Sequence, residues 1–239
     1  MRKALDESIT PFLEQIKSVS DITNVVNYVE YYIEEEKIEK AFKSMYRETM
    51  KEFAQYDNVN IQKAAGIQYQ KKSIYENLID EEIQRYIESG HIGLLISAVQ
   101  GTSKKIMRRK LEQLIPDILE RGLGMGEAQT LLRDSIEDEW YRANRWRTER
   151  ITRTEVSAAS NLGSYKGVEI TGVAKTKSWV SALDERTRTD PFNHFHSQTV
   201  AFDGVFDKTG ENILYPVDHT NGSAGNTINC RCTLTYSVN

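Results

Sequence analysis

Thr171-Gly172-Val173-Ala174-Lys175-Thr176-Lys177-Ser178-Trp179-Val180 is the stretch across which the chain changes character. Before it, apolar residues recur at three- and four-residue steps among charged ones, the period of an amphipathic helix. After Thr171, Gly, Asn, Asp and Thr become frequent. Runs of β-favouring residues appear at 173–180, 199–206 and 230–238, separated by turn signals at Asp203-Gly204, Thr209-Gly210 and Asn221-Gly222. The expected fold is therefore α+β: a mainly helical N-terminal two thirds, then a small α+β C-terminal domain with short antiparallel strands.

Working back from that point, the helical part divides at its glycines. Val25, Val26, Val29, Tyr32, Ile33, Ile38, Phe42, Met45 and Phe53 predict an amphipathic helix over residues 22–54. A second is expected over 61–87, with Ile67, Ile74, Leu78, Ile83 and Tyr86 facing inward, ending near Gly90 and Gly93. Gly101-Thr102-Ser103 reads as a break and an N-cap for a helix over 104–121, which Pro116 would kink or divide. Gly122-Leu123-Gly124-Met125-Gly126 reads as a hinge. A helix then starts at Glu127, carries Leu131, Leu132, Ile136, Trp140 and Trp146, and runs past Arg153 toward Gly163 or Gly167. Trp140, Trp146 and Trp179 are read as core. Two regions follow, 1–121 helical and 122–239 a long helix with a small β-rich unit.

Composition narrows the class of function. The 239 residues are 39% hydrophobic and 28% charged, with a net charge of -4, which suits a water-facing globular chain. No apolar run approaches the roughly 20 residues a membrane-spanning helix needs, and the best candidate, at 92–99, is far shorter. The acidic N-terminus shows no apolar signal-peptide core, so a protein of the cytosol, or of a particle assembled there, is expected. An isoelectric point of about 5.7 gives no global attraction to nucleic acid. The one candidate basic face is Arg142, Arg145, Arg147, Arg150 and Arg153, where Glu149 can pair at i±4. Nothing matches a phosphate-binding Gly loop, a nucleophile elbow or a zinc-protease helix.

Three ordered strings carry the chemical information. The first is Arg153-Thr154-Glu155 with Ala158 and Asn161-Leu162-Gly163. The second is Lys177-Ser178-Trp179, then Asp184-Glu185-Arg186-Thr187-Arg188 with His194 and His196. The third is Pro216-Val217-Asp218 leading to Asn229-Cys230-Arg231-Cys232. His194, His196, Cys230 and Cys232 form a nitrogen and sulfur donor set of the kind that binds zinc. One residue between the cysteines is fewer than zinc sites ordinarily use, and the alternative is a pair of small buried residues on a terminal strand. Arg153, Glu155, Asn161, Asp184, Arg186 and Arg188 are expected to form a polar network that stiffens an irregular domain. The same residue types would also suit phosphodiester cleavage by a metal-dependent nuclease or a toxin-like enzyme.

In their combination and order, these strings resemble the Mu F-like family of phage minor head, or head-morphogenesis, proteins. The resemblance covers roughly residues 114–236. It implies a non-enzymatic virion component present in few copies, associated with the portal vertex and capsid or scaffold proteins during assembly in the host cytoplasm. It further implies a place inside the head, contact with packaged DNA and a role as late as DNA ejection. The sequence departs from the family pattern in having two histidines, His194 and His196, where one is usual. It also sets Asp218-His219 well before Cys230.

Overall fold

The structure, a computed structural model, describes residues 35–67, 72–188 and 195–238. The part of the expected first helix before residue 35 lies outside these, as does His194. The described elements are α1 (Glu35–Ala64), α2 (Lys72–Glu88), α3 (His91–Glu120) and α4 (Met125–Glu169). They are followed by β1 (Thr176–Val180), β2 (Thr199–Ala201), the single turn α5 (Ala224–Thr227) and β3 (Thr233–Ser237). The fold is α+β, as expected.

Several boundaries differ from the sequence reading. No break occurs at Gly101-Thr102-Ser103. Ile92, Ile96, Val99, Ser103, Met107, Leu111 and Ile118 form one continuous buried stripe along α3, and packing along it overrides a local cap signal. The Ser103 hydroxyl donates to the Val99 carbonyl within the helix instead of capping its start. Pro116 is accommodated inside α3. The expected helix over 61–87 is not one element: α1 continues to Ala64 and α2 begins at Lys72. On α2 the buried face is Ile79, Ile83 and Ile87, Leu78 is 40% exposed, and Ile67, beyond the end of α1, is also 40% exposed; the Ile74 side chain lies outside the described residues. Trp146 is 76% exposed and is not core, whereas Trp179 is; the Trp140 side chain lies outside the described residues.

The chain forms two compact units. One takes in α1 up to Lys43 together with Gly90–Glu149; the other comprises Ser44–Ser89 and Arg150–Asn239. In the first, α3 and the start of α4 make an antiparallel hairpin, and Arg147 Nη2 donates to the Ala98 carbonyl at 2.7 Å. The expected hinge is a capped turn. Gly122 sits at φ 59, with Leu123 N bonded to Ile118 O and Gly122 N to Leu119 O, the Schellman closure of a helix end. Glu127 Oε2 accepts from Gly124 N at 3.2 Å to start α4.

In the second unit, the latter part of α1, α2 and the latter part of α4 pack together. Gly163 and Gly167 do not end α4. They lie inside it, where a Cβ would fall 2.4 Å from Met50 O and 2.2 Å from Ala54 O, so α1 and α4 meet backbone to backbone. Asn58 Nδ2 donates to Gly167 O at 2.8 Å across this contact. The sheet has order β2-β1-β3 and is antiparallel throughout. Alternation along β1 buries Lys177 and Trp179. Trp179 meets Phe195 and Phe206 at ring separations of 4.7 and 5.1 Å, and Leu234 lies opposite it on β3.

Candidate functional site

The C-terminal segment is held to α4 by two polar residues seven positions apart, two helical turns along one face. Thr154 Oγ1 accepts from Asn229 N at 3.0 Å, and Asn161 Nδ2 donates to the Cys232 carbonyl at 3.1 Å. Ser164 and Tyr236 share a 2.8 Å hydroxyl bond one turn further. Thr154, a polar residue in register with Asn161, is the member that sequence reasoning missed.

The loop after β1 is secured to the same segment. Asp184 pairs with the Arg231 guanidinium through both oxygens, with Oδ1 to Nη2 at 2.6 Å. Asp184 Oδ1 also accepts from Arg186 N at 3.0 Å. These bonds, led by Arg231, hold the Asp184 carboxyl well below the usual range. Arg188 points both arms of its guanidinium at the carbonyls of Gly225 and Ile228. The carboxylate's partner is thus Arg231, not Arg186 or Arg188.

Asp218 does the same for the loop before α5. It is fully buried and accepts from Leu214 N, Thr220 N, Asn221 N and Asn221 Nδ2 at 2.8–3.2 Å. Leu183, Val217 and Asn229 adopt positive φ immediately before Asp184, Asp218 and Cys230, and Ser197 immediately after His196. Such geometry costs about 1–3 kcal/mol per residue and persists only where surrounding bonds enforce it.

Between these staples lies a cleft of about 270 Å³. Arg153, Arg186, Arg188, Trp179, Cys230 and Cys232 are among the residues that line it. Cys232 Sγ is 3.6 Å from Ser181 Oγ. A hydrogen bond from Cys230, with help from Ser181, Trp179 and the charge of Arg188, pulls the Cys232 thiol below its ordinary value. The same contact with Cys232, together with burial, pushes Cys230 up.

The six residues read as one network therefore divide. Glu155 lies two residues from Arg153, about 200° around the helix. It is buried, takes the Tyr46 hydroxyl hydrogen bond, and has His219 Nε2 at 3.5 Å. Arg153 is exposed on the cleft side. His196 Nδ1 accepts from Ser181 N at 3.2 Å. Among the described residues, His196, Cys230 and Cys232 form no cluster of three donors within metal-binding distance, and His194, the fourth member of the expected set, lies outside the described residues. Of the candidate DNA-facing residues, Arg147 bonds a backbone carbonyl and Arg150 is exposed. The side chains of Arg142 and Arg145 lie outside the described residues.

Lys177, in the string Lys177-Ser178-Trp179, has no role that its sequence context assigns. It is 0% exposed, its Nζ has no hydrogen-bond partner among the described residues, and it lies 4.7 Å from the Tyr165 ring centroid and 5.6 Å from that of Phe206. Burial lowers its pKa from 10.5 to about 8, opposed by the more distant charges of Asp203, Asp218 and Glu169.

A family model described as phage Mu protein F like protein matches residues 110–235. No curated protein and no solved structure matches the chain.

Proposed function

The chain belongs to the phage Mu protein F like family, and from that premise we propose that it is a minor structural protein of head morphogenesis. In this reading it joins the portal vertex and the head interior during assembly, with portal and capsid or scaffold proteins as its partners. The observation that carries the proposal is the family match over more than half of the chain. The use made of the motif residues supports it. Asp184, Arg188, Asp218, Arg231, Thr154 and Asn161 are spent on pinning loops to α4 and to one another, which suits a rigid assembly module.

Co-expression with the portal protein of the same phage tests the reading. The chain is expected to co-purify with the portal and to be recovered from proheads and virions. Its absence from the portal complex and from both particles would refute it. Contact with packaged DNA is a separable part of the proposal. It predicts weak, salt-sensitive binding that falls linearly on a log–log plot of affinity against salt. No binding at low salt removes that part alone.

A further inference from the structure

We propose that the cleft between the loop after β1 and the C-terminal segment binds a small organic acid, a carboxylate on a compact apolar body, with Arg153 and Arg186 as the groups that take the carboxylate. Such a site lies outside the assembly role and is independent of it. Charge is the first observation. Among the described residues, the lining includes Arg153, Arg186, Arg188 and Arg231 and contains no Asp or Glu. Arg231 is neutralised by its two-oxygen pair with Asp184. Arg153 and Arg186 are exposed, and their guanidinium groups make no hydrogen bond or ion pair among the described residues. Two unengaged guanidinium forks at one cavity suit the planar, two-oxygen geometry of a carboxylate.

Size and lining add the apolar body. A cavity of about 270 Å³ is close to the roughly 300 Å³ at which small-molecule sites begin, and several times what a bare inorganic anion fills. Trp179, Phe195 and Ile213 share the lining with the arginines, so an ion without an apolar part leaves that surface uncovered. Phosphate sites typically draw on glycine nests or helix N-termini. No glycine lines this cleft among the described residues, and neither does Ser223, the N-cap of α5. The walls are also held in place beforehand. The Asp184–Arg231 pair fixes one side, Arg188 aims both arms at the Gly225 and Ile228 carbonyls, and Thr154 accepts from Asn229 N. A ligand therefore meets a formed site and need not order it.

The test titrates the full chain, labelled with heavy nitrogen, with phenylacetate and follows the indole N–H resonances, assigned by replacing Trp140 and Trp146 with Phe in turn. The Trp179 resonance should shift and saturate with a Kd of about millimolar, while that of Trp146, 76% exposed and outside the lining, stays in place. Neutral phenylethanol and inorganic phosphate should each bind about tenfold more weakly, and molar chloride should weaken phenylacetate several-fold. Arg153→Ala and Arg186→Ala, both on exposed side chains, should each weaken it about fivefold to tenfold. Arg150→Ala, exposed on the same helix but not part of the lining, should leave it unchanged. N-Acetylphenylalanine, which sets the same groups at the end of a peptide, separates two sources of the acid. Binding as tight as phenylacetate supports a polypeptide C-terminus, and binding about tenfold weaker supports a free metabolite.

An unmoved Trp179 resonance at a phenylacetate concentration about tenfold above that Kd would overturn the proposal. So would equal affinity for phenylethanol, which removes the role of charge, or equal affinity for inorganic phosphate, which removes that of the apolar body. These three readouts need no variant. Phenylphosphate binding about tenfold tighter than phenylacetate would overturn the carboxylate in favour of a phosphate ester. Affinity unchanged in both Arg153→Ala and Arg186→Ala would overturn the residues assigned. None of these results bears on co-purification with the portal protein, so the two readings fail separately.

Discussion

Replacing Gly163 by Ala tests the closest contact in the second unit. The added Cβ would sit 2.4 Å from Met50 O and 2.7 Å from Met50 Cα, where ordinary contact begins near 3.4 Å. The obstacle is backbone, so no rotamer change clears it, and α1 and α4 must part by about 1 Å in a close-packed interior. Overpacking of this kind costs about 1–3 kcal/mol, while Ala in place of Gly within a helix returns about 0.5–1 kcal/mol. The net expectation is a loss of about 1–2 kcal/mol. At Gly167 the approach to Ala54 O is 2.2 Å, and separation also stretches the buried Asn58–Gly167 bond. Gly167→Ala should therefore lose about 2–4 kcal/mol. The double variant should lose less than the sum, since one separation of the helices accommodates both methyl groups. Gly101→Ala is the control: it lies within α3 with nothing inside 4 Å of the new Cβ and should gain about 0.5–1 kcal/mol. Urea unfolding followed by far-ultraviolet circular dichroism measures all four variants. If Gly163→Ala and Gly167→Ala gain stability as the control does, the backbone contact between α1 and α4 is refuted.

Three further outcomes concern polar groups of the second unit. The pKa of Lys177 falls from 10.5 to about 8 on burial, so between those values the unfolded chain binds more protons than the folded one, and stability should rise with pH across that window. Lys177→Met should abolish the rise and add about 1–3 kcal/mol near pH 7; wild-type stability that stays flat from pH 8 to about 10 contradicts the reasoning. Asp218→Ala strips four donors of their acceptor and should cost about 2–4 kcal/mol, with Asp218→Asn costing less because one acceptor remains; thermal melts rank the pair, and an unchanged melting temperature in Asp218→Ala would deny the carboxylate its role. Arg188→Lys keeps the charge but cannot span the Gly225 and Ile228 carbonyls, so a loss of about 1–2 kcal/mol is expected, and hydrogen exchange at 225–232 should quicken while exchange in α3 stays unchanged.

Much of the fold was legible in the sequence because it rests on local periodicity. The shift from three- and four-residue spacing to β-favouring runs near Thr171 located the α+β transition, and β1, β2 and β3 fall within the three expected runs. The ordered strings around Arg153, Asp184 and Cys230 sufficed to suggest the family. What sequence reasoning could not weigh was the environment that decides each ambiguous residue. A glycine ends a helix or admits a neighbouring backbone, and only the approach of Met50 and Ala54 shows that Gly163 and Gly167 do the second. Gly101-Thr102-Ser103 carries a cap signal that a continuous buried stripe overrules. Asp184 chose Arg231, 47 positions away, over the arginines beside it. Arg153 and Glu155 parted because two residues take a helix about halfway around its axis. Local spacing, in short, determines which elements form and in what order. Pairing across long stretches of chain depends on three-dimensional distance, and the tertiary structure alone decided that Cys230, Cys232 and Trp179 share one arginine-lined cleft.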